Sequence, residues 1–149
     1  MFVAPIRRRT EREIGRALAR TCLAKGFRAL VQVRLHPCEM DLVVLDPATA
    51  RIGVFELKRR DWRTVLEQAR RAQLYAHFAA AVLPLRMASH VPAEEFERFG
   101  VGLVYYSESA AGVAFSLGRE AMASRVTNRH FKQLLYREFA RAFGGLTHA

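Results

Sequence analysis

The sequence predicts an α/β fold in which helices cover a mixed sheet, and three observations carry that expectation. Segments with apolar residues at helical spacing alternate with short runs of β-branched and aliphatic residues. Their order is helix, three strands, helix, strand, then a short helix, one or two strands and a terminal helix, an alternation that places helices against a partly parallel sheet. The 149 residues, 51% of them hydrophobic, are enough for one domain with a true core. No repeat, low-complexity tract or Pro/Gly-rich linker divides the chain, so 1–149 reads as a single domain.

Each element has its own signal. Thr10 and Glu13 form a capping box that opens a helix over 11–25, and Gly26 stands at its C-cap position. Strands are predicted over 27–35, 40–46 and 51–58, with the turn Asp46-Pro47-Ala48-Thr49-Ala50 making the last two a hairpin. Asp61 caps a second helix over 62–79, whose apolar face is Trp62, Val65, Leu66, Ala69, Ala72 and Ala76. A short buried strand follows at 80–85. Pro92 starts a short helix that Gly100 ends, before a strand over 101–107 and a partner strand over 112–117. Asn128 caps the terminal helix, 129–143, which Gly144-Gly145 stops. Phe131, Leu134, Leu135 and Phe139 share one of its faces, suited to closing the core or to a dimer contact.

Composition narrows the partners. A net charge of +10 and a pI near 10.7 favour a polyanion, nucleic acid first, through phosphate neutralisation and counterion release. The cations are mostly arginine, with lysine only at positions 25, 58 and 132, so a lysine inside a motif is not the default choice. No apolar run approaches the ~20 residues that span a bilayer, and the N-terminus has the reverse of a secretory charge pattern. A cytoplasmic setting without membrane attachment is expected. Cys22 and Cys38 form no CxxC pair and read as ordinary thiols; His36 and Cys38 have no second pair at zinc spacing.

The stretch Val54-Phe55-Glu56-Leu57-Lys58 carries the chemistry. In a strand, residues i and i+2 share a face about 6.5 to 7 Å apart, so Glu56 and Lys58 project together while Phe55 and Leu57 enter the core. Asp41, at the start of the neighbouring strand, brings a second carboxylate towards Glu56. Two carboxylates beside an ammonium suit a hard divalent cation, Mg²⁺ or Mn²⁺, that retains waters. Such a site activates water against a phosphodiester, with lysine stabilising the developing charge.

Asp41 followed by Glu56-Leu57-Lys58 on the next strand, within an α-β-β-β-α-β order, resembles the PD-(D/E)XK nuclease superfamily, which has a restriction endonuclease-like core. The resemblance covers roughly residues 10 to 106. It implies that Asp41 and Glu56 bind the metal and that Lys58 assists the attacking water. The family's proline before the aspartate is missing here, since Met40 precedes Asp41. Many members also place a glutamate of the first helix near the metal. Helical phase selects Glu11, in line with Ile14, Leu18 and Cys22, over Glu13, which the capping box uses. Two roles stay open for Glu11: a ligand acting through water, or a partner of the helix dipole. Similar nucleases carry a helix glutamine facing the site, which falls on Gln68. Tyr75 shares its edge of the predicted helix, either joining the site and the nucleic-acid backbone or packing at the domain edge.

Arg59, Arg60, Arg63, Arg70 and Arg71, with Arg7, Arg8 and Arg9, supply a phosphate-contacting surface. The expected activity is metal-dependent hydrolysis of nucleic acid, DNA in the first place, and a symmetric dimer would suit cleavage of both strands. Its rivals are a silent nucleic-acid-binding module of the same fold and a basic face that docks on an acidic protein.

Overall fold

The computed structural model describes residues 8–144. Arg7 of the basic cluster and Gly145 of the terminal stop lie outside them. Six strands form one sheet in sequential order: β1 (Arg28–Leu35), β2 (Cys38–Asp46), β3 (Arg51–Leu57), β4 (Phe78–Pro84), β5 (Gly102–Ser109) and β6 (Gly112–Arg119). β1, β2 and β3 make an antiparallel meander, β3, β4 and β5 run parallel, and β6 returns antiparallel to β5. Parallel pairing needs crossovers. Helix α2 (Trp62–Ala72) supplies the first; a 3₁₀ turn (Leu85–His90) and α3 (Ala93–Phe99) supply the second. With α1 (Glu11–Ala24) before the sheet and α4 (Arg129–Phe143) after it, the α-β-β-β-α-β core and its terminal helix are as the sequence implies.

Two apolar layers flank the sheet. On one face Ile14, Leu18 and Cys22 of α1 pack on Leu42, Val44, Leu57, Val82 and Tyr106. On the other, Val65, Leu66, Ala69 and Ala72 of α2 and Leu135, Tyr136 and Phe139 of α4 cover Val43, Leu45, Ile52, Val54, Ala81, Leu83 and Leu103. The terminal helix therefore closes the core. Thr10 and Glu13 form the expected capping box, Asp61 caps α2 and Asn128 caps α4.

The sequence places the end of the second helix too late. Helix α2 stops at Ala72, and Ala79, expected on it, belongs to β4. Alanine is the best helix former, yet Ala79, Ala80 and Ala81 pair in parallel with Val54, Phe55 and Glu56, because a central strand covered on both faces needs small side chains there. The turn between is tied down from outside. Ser124 Oγ donates to the Gln73 carbonyl at 2.8 Å, Thr127 Oγ1 to the Ala76 carbonyl at 2.7 Å, and Gln73 Nε2 to the Phe99 carbonyl at 2.7 Å. Strand β3 ends at Leu57, so Lys58 follows the strand rather than ending it. Strand β2 begins at Cys38, and the 3₁₀ turn has no counterpart among the sequence expectations.

Among the described residues, no helix is long and apolar enough to cross a membrane.

Candidate active site

The site begins with a parting of two strands. The last β2–β3 pair is Leu42 with Phe55, and beyond it the Asp41 side chain occupies the gap, accepting the Leu57 N–H at Oδ2 over 2.7 Å. Opposite Asp41 on the other side, Gln32 of β1 adopts φ +53°, and the β1–β2 pairing skips it. A non-glycine residue in the left-handed region is uncommon and clusters where a strand is re-aimed. The phase of the side chains changes there. Leu42 belongs to the α1 layer, whereas Met40 and its partner Val33 belong to the α2 layer, which leaves Asp41 at the crossing point.

Glu56 lies beside it with only 2% of its surface exposed. It alternates with Phe55 and Leu57, which enter the α1 layer, and so faces the α2 side. Burial is the main cause that pushes its carboxyl up to about 9; the charge and side chain of Asp41 add to the shift, and the Asp41 backbone opposes it. Two carboxyl groups sharing one buried site cannot both ionise cheaply without a cation between them.

A cavity of about 220 Å³ opens on Glu56 and is walled by Gln68, Arg71, Ala72 and Tyr75 from α2 and its following turn, by Pro37 from the β1–β2 turn, and by Cys38, Glu39 and Met40 from the start of β2. Gln68 Oε1 is buried there without a hydrogen-bond partner. Tyr75 reaches the cavity from the turn after α2 rather than from a helix edge, stacked on Phe131 with centroids 5.0 Å apart. Burial first and the adjacent Cys38 second push its phenol up to about 12. Cys38 is the residue that sequence reasoning set aside, because it was judged against zinc spacing instead of strand position: it stands three residues before Asp41 on the same strand and lines the Glu56 cavity.

The other sequence-chosen residues are placed unevenly. Lys58 is half-buried just past β3, its backbone N–H donating to the Val82 carbonyl; the Asp61 pKa is lowered chiefly by hydrogen bonds from Thr64, and the Lys58 ammonium adds the smallest part. Glu11 is half-buried on the α1 side, with Oε2 lacking a hydrogen-bond partner. Among the described residues no three His, Cys, Asp or Glu side chains form a group that could hold a metal ion directly, Glu11 with Asp41 and Glu56 included. Arg71 borders the Glu56 cavity and also a neighbouring cleft of about 590 Å³ with Arg70, Arg98 and Arg125. Arg70 stacks over Phe99 at 3.7 Å and meets Glu67 at 3.5 Å, while Arg63 lies over Trp62 at 4.9 Å. Arg60 is exposed and Arg59 half-buried.

The donor set fits a hard cation. Asp41, Glu56 and the orphaned carbonyl oxygen of Gln68 are oxygen donors, and Mg²⁺ is commonly held by one or two carboxylates plus waters and phosphate.

No family model and no curated protein matches the chain. Among solved structures, a protein of unknown function from Silicibacter pomeroyi superposes with a TM-score of 0.66 at 19% identity, covering 92% of this chain and 88% of that one. That likeness establishes the fold alone: a mixed sheet flanked by helices, loosely of restriction endonuclease-like topology.

Proposed function

We propose that this protein is a divalent-metal-dependent nuclease of the PD-(D/E)XK type, hydrolysing phosphodiester bonds of nucleic acid, DNA in the first place. One observation carries the reading: Glu56, buried to 2% exposure and facing Asp41, costs the fold unless a proton or a cation lies between the two carboxyls. Asp41 and Glu56 are the ligands for Mg²⁺ or Mn²⁺, and Gln68 offers its unpaired oxygen beside them. When bound, the cation polarises the phosphoryl oxygen and lowers the pKa of water. The Leu57 N–H fixes Asp41, so the carboxylate is held without an entropic cost at the moment of reaction. Lys58, two positions after Glu56, orients the attacking water and answers the charge that develops on the phosphate. Arg71, in the wall of the cavity, neutralises a flanking phosphate, and Arg59 and Arg60 after β3 meet the backbone further out.

The test is incubation of labelled single-stranded, duplex and branched DNA, and RNA, with Mg²⁺, Mn²⁺ or chelator. Cleavage that requires metal and disappears in Asp41→Ala, Glu56→Ala and Lys58→Ala is the expected result. Salt-sensitive binding without cleavage of any substrate would select the silent module instead.

A further inference from the structure

A second basic site lies at the same end of the sheet, on the α1 side. The C-terminal ends of β4 and β5 meet at the pair Pro84 and Tyr106, and the chain turns away there into the 3₁₀ segment. A cavity of about 320 Å³ opens at that point, lined by Arg8, Pro84, Leu85, Arg86, Tyr106, Ser107 and Glu108. Ligands of α/β sheets gather outside the carboxyl ends of parallel strands. Tyr106 is 4% exposed, and four charged groups act on its phenol: Arg59, Glu108, Arg86 and Glu11.

The carboxylates here do not cancel the guanidinium groups. Glu108 is taken by Arg9, whose backbone N–H donates to Oε1 at 2.8 Å and whose Nη1 lies 3.7 Å away. Arg8, Arg59 and Arg86 have no ion-pair partner among the described residues, and Glu11 alone opposes them. A recess lined by two uncommitted guanidinium groups, Arg8 and Arg86, and a phenol fits an oxyanion of phosphate type, which arginine meets in a forked, directional way.

The recess and Glu56 lie at the same end of the sheet, two strands apart, but on opposite faces: Tyr106 belongs to the α1 layer, whereas Glu56 faces the α2 side.

We propose that Arg8 and Arg86, in the recess beside Tyr106, hold a backbone phosphate of nucleic acid. The choice of nucleic acid as the ligand rests on the nuclease reading; the phosphate site does not need cleavage. Binding of a fluorescent single-stranded 15-mer is therefore measured by anisotropy across a salt series in chelator. The proteins compared are wild type, Arg86→Ala, Arg8→Ala/Arg86→Ala, and Arg20→Ala, which removes an equal charge from the exposed side of α1. Thermal melts verify that each is folded. The expected result is about a three- to tenfold rise in Kd for Arg86→Ala, a larger rise for the double variant, and a salt slope shallower by about 0.7 per lost contact. Excess inorganic phosphate should compete only at millimolar levels, marking the polymer as the ligand. Values for Arg86→Ala and the double variant that match Arg20→Ala, or no oligonucleotide binding by wild type, would overturn the proposal. If binding falls as expected while no substrate is cleaved with metal, the phosphate site stands and the nuclease reading fails.

Discussion

Glu56 and Glu108 occupy the same end of one sheet, on the parallel strands β3 and β5, yet they are treated in opposite ways. Glu108 is met by the backbone and guanidinium of Arg9, and its side chain stays 15% exposed. Glu56 is sunk to 2% exposure against a second carboxyl, and its pKa is driven up to about 9. The first is an ordinary ion pair near the surface, worth about a kcal/mol or less. The second is an unanswered acid whose burial makes sense only with a proton or metal in place. A carboxylate marks a site by what fails to neutralise it, not by its presence.

The comparison can be broken most severely through activity. Glu56→Ala or Asp41→Ala should reduce metal-dependent cleavage by about a thousandfold or more, and Lys58→Ala by about a hundredfold. Glu108→Ala should leave the rate within about threefold, as befits a screened pair. Equal losses at Glu56 and Glu108, in one cleavage assay, would erase the distinction.

Stability against pH sharpens it next. Glu56 has a higher pKa folded than unfolded, so the metal-free fold binds more protons than the unfolded chain between about 4.5 and 9. Its stabilising share is complete below that window and is lost as pH rises through it. Urea melts in chelator should therefore show stability falling by up to about 1.4 kcal/mol per pH unit from this group. Glu56→Gln should remove that slope, whereas Glu108→Gln should keep it.

Metal removal gives a smaller effect. Near pH 8, Mg²⁺ or Mn²⁺ at ten to a hundred times Kd should add about 1 to 3 kcal/mol to wild type and nothing to Glu56→Gln. Smallest of all, Arg9→Ala should cost under about 1 kcal/mol, a loss that moderate salt largely hides in thermal melts.

Much of this was legible before any coordinates. Strong local signals fixed their elements: Thr10 with Glu13, Asp61 and Asn128 each cap the helix they announce, and Ile14, Leu18 and Cys22 form the buried stripe of α1. The approach of Asp41 to Glu56 was readable too, because the turn 46–50 registers β2 on β3. What escaped depends on partners distant in sequence. The end of α2 is set by Ser124 and Thr127, some fifty residues on, and by parallel pairing of an alanine run that reads locally as helix. Tyr75 and Cys38 meet at the Glu56 cavity only because that turn and the shift in phase opposite Gln32 bring them there. Neither feature leaves a local mark. For Glu11 the helical phase was legible, and its Oε2 is buried without a hydrogen-bond partner, but phase alone does not tell which groups of the sheet it meets.

The central claim is that Asp41 and Glu56 hold one divalent cation. Crystals grown with Mn²⁺ near pH 8 and measured for anomalous scattering test it most directly. The account predicts one strong peak bridged by the two carboxylates, with oxygen distances of about 2.0 to 2.3 Å, and its disappearance in Glu56→Gln. No peak at that pair, or a peak beside Glu11 and Glu108 instead, would contradict it.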